Sequence, residues 1–96
     1  MSQDRKRGVS LFKRGAAAGD AKAQCCLGLC YAKGTGVAQD HGKAVEQYRR
    51  AAEQGDAQAQ YNLGVCYRNG EGVAQDEAES ERWISKAAAQ GYVAES

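Results

Sequence analysis

The side chains best suited to chemistry in this sequence are four cysteines, Cys25, Cys26, Cys30 and Cys66, and a single histidine, His41. Thiolates and imidazole can close a zinc site, or pair as a nucleophile and its base. A tetrahedral zinc site needs about four such ligands, usually brought by two knuckles of closely spaced cysteines. Here three cysteines crowd into one short segment, no second knuckle stands elsewhere, and His41 lies across a glycine-rich stretch. No metal and no other cofactor is therefore expected. The spacing is equally poor for disulfides. Cys26 and Cys30 fall one helical turn apart, where backbone geometry opposes a relaxed bridge. Cys30 and Cys66 hold equivalent places in successive copies of a repeat, roughly a helix diameter of about 10 Å apart. Free thiols are the expectation, and with them a reducing compartment. Cys30 and Cys66 read as small core hydrophobes beside tyrosines, and Cys25 as facing outward.

His41 follows Asp40 in the exposed first turn of a helix, with no oriented nucleophile in reach, so it reads as a solvated surface residue. Gly34-x-Gly36 and Gly70-x-Gly72 lack the strand, third glycine and Lys-Thr signature of a phosphate loop and read as connectors. The chain is not expected to be an enzyme. Arg5-Lys6-Arg7 with Lys13-Arg14 makes a basic patch, but 13 basic residues stand against 12 acidic ones. Without net charge or interleaved aromatics, neither nucleic acid nor an anionic membrane is the expected partner. No apolar run approaches the ~18 residues of a membrane span, and nothing behind Met1 reads as a secretory signal. A cytoplasmic location follows as an expectation.

What positions these residues is a repeat. Leu27-Gly28 returns as Leu63-Gly64, Cys30-Tyr31 as Cys66-Tyr67, and Gly34-x-Gly36-Val37-Ala38-Gln39-Asp40 as Gly70-x-Gly72-Val73-Ala74-Gln75-Asp76, at an offset of 36 (63 minus 27). A period of this length means one supersecondary unit copied and stacked, each copy burying its apolar face on the next. Aspartates at 20, 40, 56 and 76 are N-cap residues, and Asp76-x-x-Glu79 has capping-box spacing. Glycines 34, 55, 70 and 91 are stops. The pattern predicts helices over Ala21 to Lys33, His41 to Gln54, Ala57 to Asn69, and from the Asp76 cap to Gln90. Projected backward, the period puts a cap at Asp4 and an opening helix over Arg5 to Ala18. The whole is an all-α chain of about five helices. It divides into a half repeat at 4–19, repeats at 20–55 and 56–91, and a tail at 92–96. Ninety-six residues make one domain, burying about 60–65% of its unfolded surface.

The helical period places Gln60, Leu63, Gly64 and Tyr67 on one stripe, matched by Gln24, Leu27, Gly28 and Tyr31. Mid-helix glycine costs about 1 kcal/mol against alanine, so Gly28 and Gly64 in one register predict a neighbouring helix passing close by. On the other helices Ala44, Tyr48, Ala51 and Ala52 align, as do Trp83, Ile84, Ala87 and Ala88, and Leu11, Phe12 and Ala16. Val73 is expected to tuck back as an apolar plug.

The run Arg50-Ala51-Ala52-Glu53-Gln54-Gly55-Asp56-Ala57-Gln58-Ala59-Gln60-Tyr61-Asn62-Leu63-Gly64, followed by Tyr67-x-x-Gly70-x-Gly72-Val73-x-x-Asp76, resembles Sel-one-like repeats, relatives of tetratricopeptide repeats. The resemblance runs from about Asp4 to Tyr92. It implies an α/α solenoid, a right-handed superhelix of antiparallel helix hairpins whose first helices line a concave groove, and an adaptor function in assembling complexes. The sequence departs from the family at the aromatic pair before Lys-Ala-Ala. Trp83 fits the first place, but Gln47 and Leu11 hold it elsewhere, and Ile84 replaces the second aromatic. The bridged positions of cysteine-rich relatives correspond here to Ala52 and Gln60, so that disulfide framework does not carry over.

On this frame the groove is expected to be lined by Lys22, Cys25, Leu29, Ala32, Lys33, Gln58, Tyr61, Asn62, Val65, Arg68 and Asn69, the face opposite the packing stripe. Tyr61 and Leu29 offer apolar contact, while Lys33 and Arg68 can engage carboxylates, which suits a peptide or protein partner. Two other readings compete with a non-catalytic adaptor. One is a self-associating structural module, a homo-oligomer joined through exposed ends of the solenoid that bury Leu11 and Phe12, or Trp83 and Ile84, on another copy. The other is a thiol-dependent enzyme or redox sensor centred on Cys25.

Overall fold

Four of the five helices begin at an aspartate whose carboxylate accepts an amide one turn into the helix. The Oδ1 atoms of Asp20, Asp40, Asp56 and Asp76 take the N–H groups of Ala23 (3.0 Å), Lys43 (3.0 Å), Ala59 (2.8 Å) and Glu79 (3.1 Å). The structure, a computed structural model, describes the backbone of residues 2–93 and the side chains of residues 7–93. Its elements are α1 (Ser2–Ala17), α2 (Ala21–Lys33), α3 (His41–Glu53), α4 (Ala57–Asn69) and α5 (Glu77–Ala89), with no strand among the described residues.

Gly34 and Gly70 close α2 and α4 in the left-handed conformation at φ 71° and 69°, each donating its N–H to the carbonyl of Cys30 or Cys66. A residue with a Cβ would be strained there. The loops that follow are stitched back onto the helices they leave. Asp40 and Asp76 donate their N–H groups to the carbonyls of Tyr31 and Tyr67, both at 2.9 Å. Gln39 and Gln75 donate from Nε2 to the carbonyls of Ala32 and Arg68, both at 2.8 Å. Val73 is half-buried against the main core, as a plug should be.

Two details of the caps differ from the sequence reading. α1 runs from Ser2, so Asp4 lies inside the helix and not at its cap. The capping box at Asp76 is made by half. Glu79 turns its carboxylate onto Arg82 in two bonds of 3.2 and 3.1 Å, because the Asp76 N–H that it would accept is already taken by Tyr67.

Consecutive helices pack against one another down the chain, and the overall dimensions, 39 × 25 × 23 Å, are those of a short rod. The main core gathers Cys25, Ala44, Val45, Tyr48, Ala51, Ala52, Ala59, Leu63, Cys66 and Trp83. A smaller one between α1 and α2 holds Val9, Ala16, Leu27 and Cys30, with Phe12 partly covered at its edge. The mid-helix glycines sit where a partner helix comes closest. A Cβ on Gly28 would stand 2.6 Å from Tyr48 Cε1, and one on Gly64 2.5 Å from Ile84 Cγ1. Packing here outweighs helix propensity.

The packing stripes need two corrections. Leu11 is exposed and its place in the small core belongs to Val9; Ala88 is also exposed. Trp83 is covered within its own chain, as its stripe predicts and against the competing reading that would bury it on another copy, with the Arg82 guanidinium 4.7 Å and the Lys86 ammonium 4.8 Å from its ring centre.

Candidate partner-binding face

The residues expected to line a groove lie on the first helix of each hairpin, α2 and α4. They meet at two points: Lys22 Nζ lies 3.8 Å from Asp56 Oδ2, and Asn62 Nδ2 points at Cys25 Sγ from 4.0 Å. That second contact decides where Cys25 goes. Covered by Asn62 on one side and packed in the main core on the other, it is 1% exposed and offers nothing to a partner. Its outward placement in the sequence reading is overturned, because α4 covers the flank of α2 from which Cys25 projects.

The other ten residues divide by exposure. Leu29 and Ala32 are half-buried against the flank of the core; Gln58, Tyr61, Asn62 and Val65 are half-buried on α4. Lys22, Lys33, Arg68 and Asn69 are exposed, with Lys33 and Arg68 in the last turns of α2 and α4. Tyr61 is held by Tyr92, ring centres 5.4 Å apart at a tilt of 37°. The result is a half-buried strip with apolar members, bordered by cations.

The thiols are placed for packing. All four cysteines are free, and only Cys26 is not buried. Burial pushes the Cys25 thiol up to about 12, with the nearby Asp56 carboxylate adding to the effect, and the Cys66 thiol up to about 11. Cys30 is raised by burial as well. A thiol so raised stays protonated at neutral pH, so its reactive thiolate form is scarce there. Burial likewise raises the Tyr48 hydroxyl. Among the described residues no three His, Cys, Asp or Glu side chains gather as a metal site. His41 is half-buried at the start of α3, where its carbonyl lies against Gly72.

Sequence reasoning missed the polar spine that fixes the helices in place. Gln24, buried, donates from Nε2 to the Ala16 carbonyl at 3.2 Å and accepts at Oε1 from Gln54 Nε2 at 2.7 Å. One repeat on, Gln60 donates to Ala52 at 3.2 Å and accepts from Gln90 at 2.9 Å. Arg50 Nη2 also reaches the Ala16 carbonyl, at 3.2 Å, and Arg49 Nη2 the Tyr67 hydroxyl, at 2.6 Å. The signal was present as glutamines recurring in register inside apolar stripes.

Helical hairpins in tandem, locked by the same side-chain bonds at the same offset, define an α/α solenoid repeat protein. The model of the Sel1 repeat matches residues 1–20, 21–56 and 57–92, and the chain belongs to that family. The family model draws its units one residue later than the aspartate caps suggest. Two solved structures are similar. One is a protective antigen present in uropathogenic Escherichia coli strains and displaying an SLR fold, 40% identical with a TM-score of 0.86 over 88% of this chain. The other is a Sel1 repeat protein from Oxalobacter formigenes, 43% identical with a TM-score of 0.85 over 86% of this chain. The chain spans 18% of the first and 63% of the second. No curated protein matches. Sel1 repeat proteins generally serve as protein-interaction scaffolds. Among the described residues no helix is long and apolar enough to cross a membrane.

Proposed function

We propose that this chain is a non-catalytic adaptor, a single Sel1-repeat domain that holds a peptide or protein across the face formed by α2 and α4. One observation carries the reading. The repeat framework leaves Leu29, Tyr61 and Val65 half-buried on that face, bordered by exposed Lys33 and Arg68, while the thiols that could do chemistry are mostly buried and protonated. Half-buried apolar groups beside cations suit a segment carrying both apolar side chains and carboxylates. The four free thiols support a reducing, cytoplasmic setting. Neither nucleic acid nor a membrane belongs to this reading. A thiol enzyme or redox sensor built on Cys25 would require a group that the fold has removed from solvent. Affinity capture with the parent chain and with a Tyr61→Ala, Arg68→Ala variant tests the proposal. Partners lost from the folded variant are the expected outcome, and a variant that retains every partner overturns this face.

A further inference from the structure

The two ends of the stack are built differently, and the repeat allows them to be compared position by position. The place of Leu11 in α1 is taken by Gln47 in α3 and Trp83 in α5, which are 9% and 5% exposed where Leu11 is 64% exposed. This position is covered wherever a hairpin precedes it. The place of Val9 and Val45, both buried, is taken in α5 by Glu81, which is exposed. This second position is covered wherever a hairpin follows. The α5 end therefore carries a carboxylate where the inner copies carry valine, as a polar cap does, and the α1 end presents leucine.

An open cleft of about 250 Å³ lies between α1 and α2, lined by Phe12, Cys26, Leu29, Cys30, Lys33 and Thr35. One repeat on, two of these positions meet the preceding first helix, although Asn69 and Glu71, the counterparts of Lys33 and Thr35, are exposed. Tyr48, in the place of Phe12, lies under α2 at Gly28, and Asn62, in the place of Cys26, meets Cys25 of α2. Ile84, the third copy of the Phe12 position, lies under α4 at Gly64. Both inner copies are thus covered by a first helix whose glycine permits the approach, and among the described residues no such helix lies over Phe12.

We propose that this cleft is a socket for an α-helix supplied by another repeat unit, one carrying the first-helix pattern Gln-x-x-Leu-Gly and seated with its glycine over Phe12. The occupant is argued from continuity: it would extend by one unit the interface that α2 makes with Tyr48 and α4 makes with Ile84. A second folded copy of this chain does not supply it, because its two first helices already have their glycines packed against Tyr48 and Ile84. The occupant is therefore a first helix whose glycine face is not already packed on a second helix. The socket shares Leu29 and Lys33 with the face proposed above but not Tyr61 and Arg68, so variants at those last two positions tell the two surfaces apart.

The probe is a labelled, end-capped synthetic peptide with the sequence of residues 56–70, titrated into the full chain by fluorescence anisotropy and by amide chemical shifts. Saturable binding is expected, with shifts centred on Leu11, Phe12, Cys26 and Lys33. A Gly64→Leu peptide should bind at least ~10-fold more weakly, the scale of overpacking a close contact. Cys26→Glu in the chain should weaken binding similarly, and Tyr61→Ala with Arg68→Ala should leave it unchanged. Should Cys26→Glu unfold the chain, slower alkylation of Cys26 in the parent on addition of a Cys66→Ser form of the peptide, which cannot consume the reagent, replaces that arm, and unaltered alkylation counts against the socket. Failure to saturate at millimolar peptide overturns the proposal, as does equal binding of the Gly64→Leu peptide. Shifts confined to α4 and α5, or a chain dimer through Leu11 that the peptide does not displace, overturn it too.

Discussion

Alanine in place of glycine should act in opposite directions at two helical sites of this chain, and the structure gives the size of each effect. At Gly28 the exchange gains about 0.8–1 kcal/mol of helix propensity. The new methyl would stand 2.6 Å from Tyr48 Cε1, 2.7 Å from Cδ1 and 3.2 Å from the Ala44 carbonyl oxygen. Ordinary carbon contacts are about 3.5–4.0 Å, so the overlap is roughly 1 Å, and the buried ring of Tyr48 has no free space to swing into. Overpacking of this kind costs about 1–3 kcal/mol, and a methyl so close to a ring belongs at the upper end. The net effect of Gly28→Ala is a loss of about 1–2 kcal/mol, or roughly 5–15 °C in Tm for a domain of this size. At Gly8 in α1 nothing lies within 4 Å of an added Cβ, so Gly8→Ala keeps the propensity gain and should raise Tm by a few degrees. Thermal melts followed at the helical circular-dichroism band, with urea midpoints beside them, measure both. If Gly28→Ala equals or exceeds the parent in stability, the close-approach account of the hairpins is wrong.

Two further outcomes follow from the core. Native protein treated with a thiol reagent at about pH 8 should label quickly at Cys26 alone, and all four cysteines should react in denaturant. Because burial raises Cys25 to about 12 and Cys66 to about 11 from an ordinary 9.0, the unfolded chain sheds protons that the native one keeps as pH climbs past 9.0. Unfolding free energy should therefore fall with rising pH in that window, and urea midpoints that rise between about pH 8 and about pH 10 would contradict it. Gln60→Leu should cost about 1–2 kcal/mol, since it removes both hydrogen bonds of a buried amide, the one given to Ala52 and the one taken from Gln90, while the Ala52 carbonyl keeps the Gly55 N–H and Gln90 keeps the Gly55 carbonyl. An unchanged urea midpoint would remove the polar spine from the account of stability.

Local signals in the sequence were enough for the helices and their hairpin order. The limits of α2 and α4 coincide with the reading from Asp20, Gly34, Asp56 and Gly70, because an aspartate cap and a left-handed glycine act within one turn and need no distant partner. What failed depends on neighbours that a period alone does not describe. Leu11 shares its register with Trp83, but only Trp83 has a hairpin before it, so the same position is surface in one copy and core in the other. Cys25 sits on the border between the face that α2 turns to α3 and the one it turns to α4, and its burial is decided by Asn62, 37 residues away in sequence. The Asp76 capping box failed for a related reason, since Tyr67 of the preceding helix reached the amide first.

The glutamines connect these local rules to the face the chain presents. Each rung joins three helices. Gln54 just past α3 bonds Gln24 in α2, which bonds the Ala16 carbonyl in α1; Gln90 just past α5 bonds Gln60 in α4, which bonds the Ala52 carbonyl in α3. Apolar packing between alanine-rich helices is non-directional and permits sliding, whereas a buried amide satisfied in one register and stranded in others does not. The rungs therefore fix how far each hairpin sits along its neighbour, and with it the spacing of Tyr61 and Val65 on α4 from Leu29 on α2. Under the function proposed above, a partner would meet an apolar strip whose spacing is set in advance, so less ordering entropy would oppose binding. The buried glutamines would then act on affinity through that spacing, from outside the face itself.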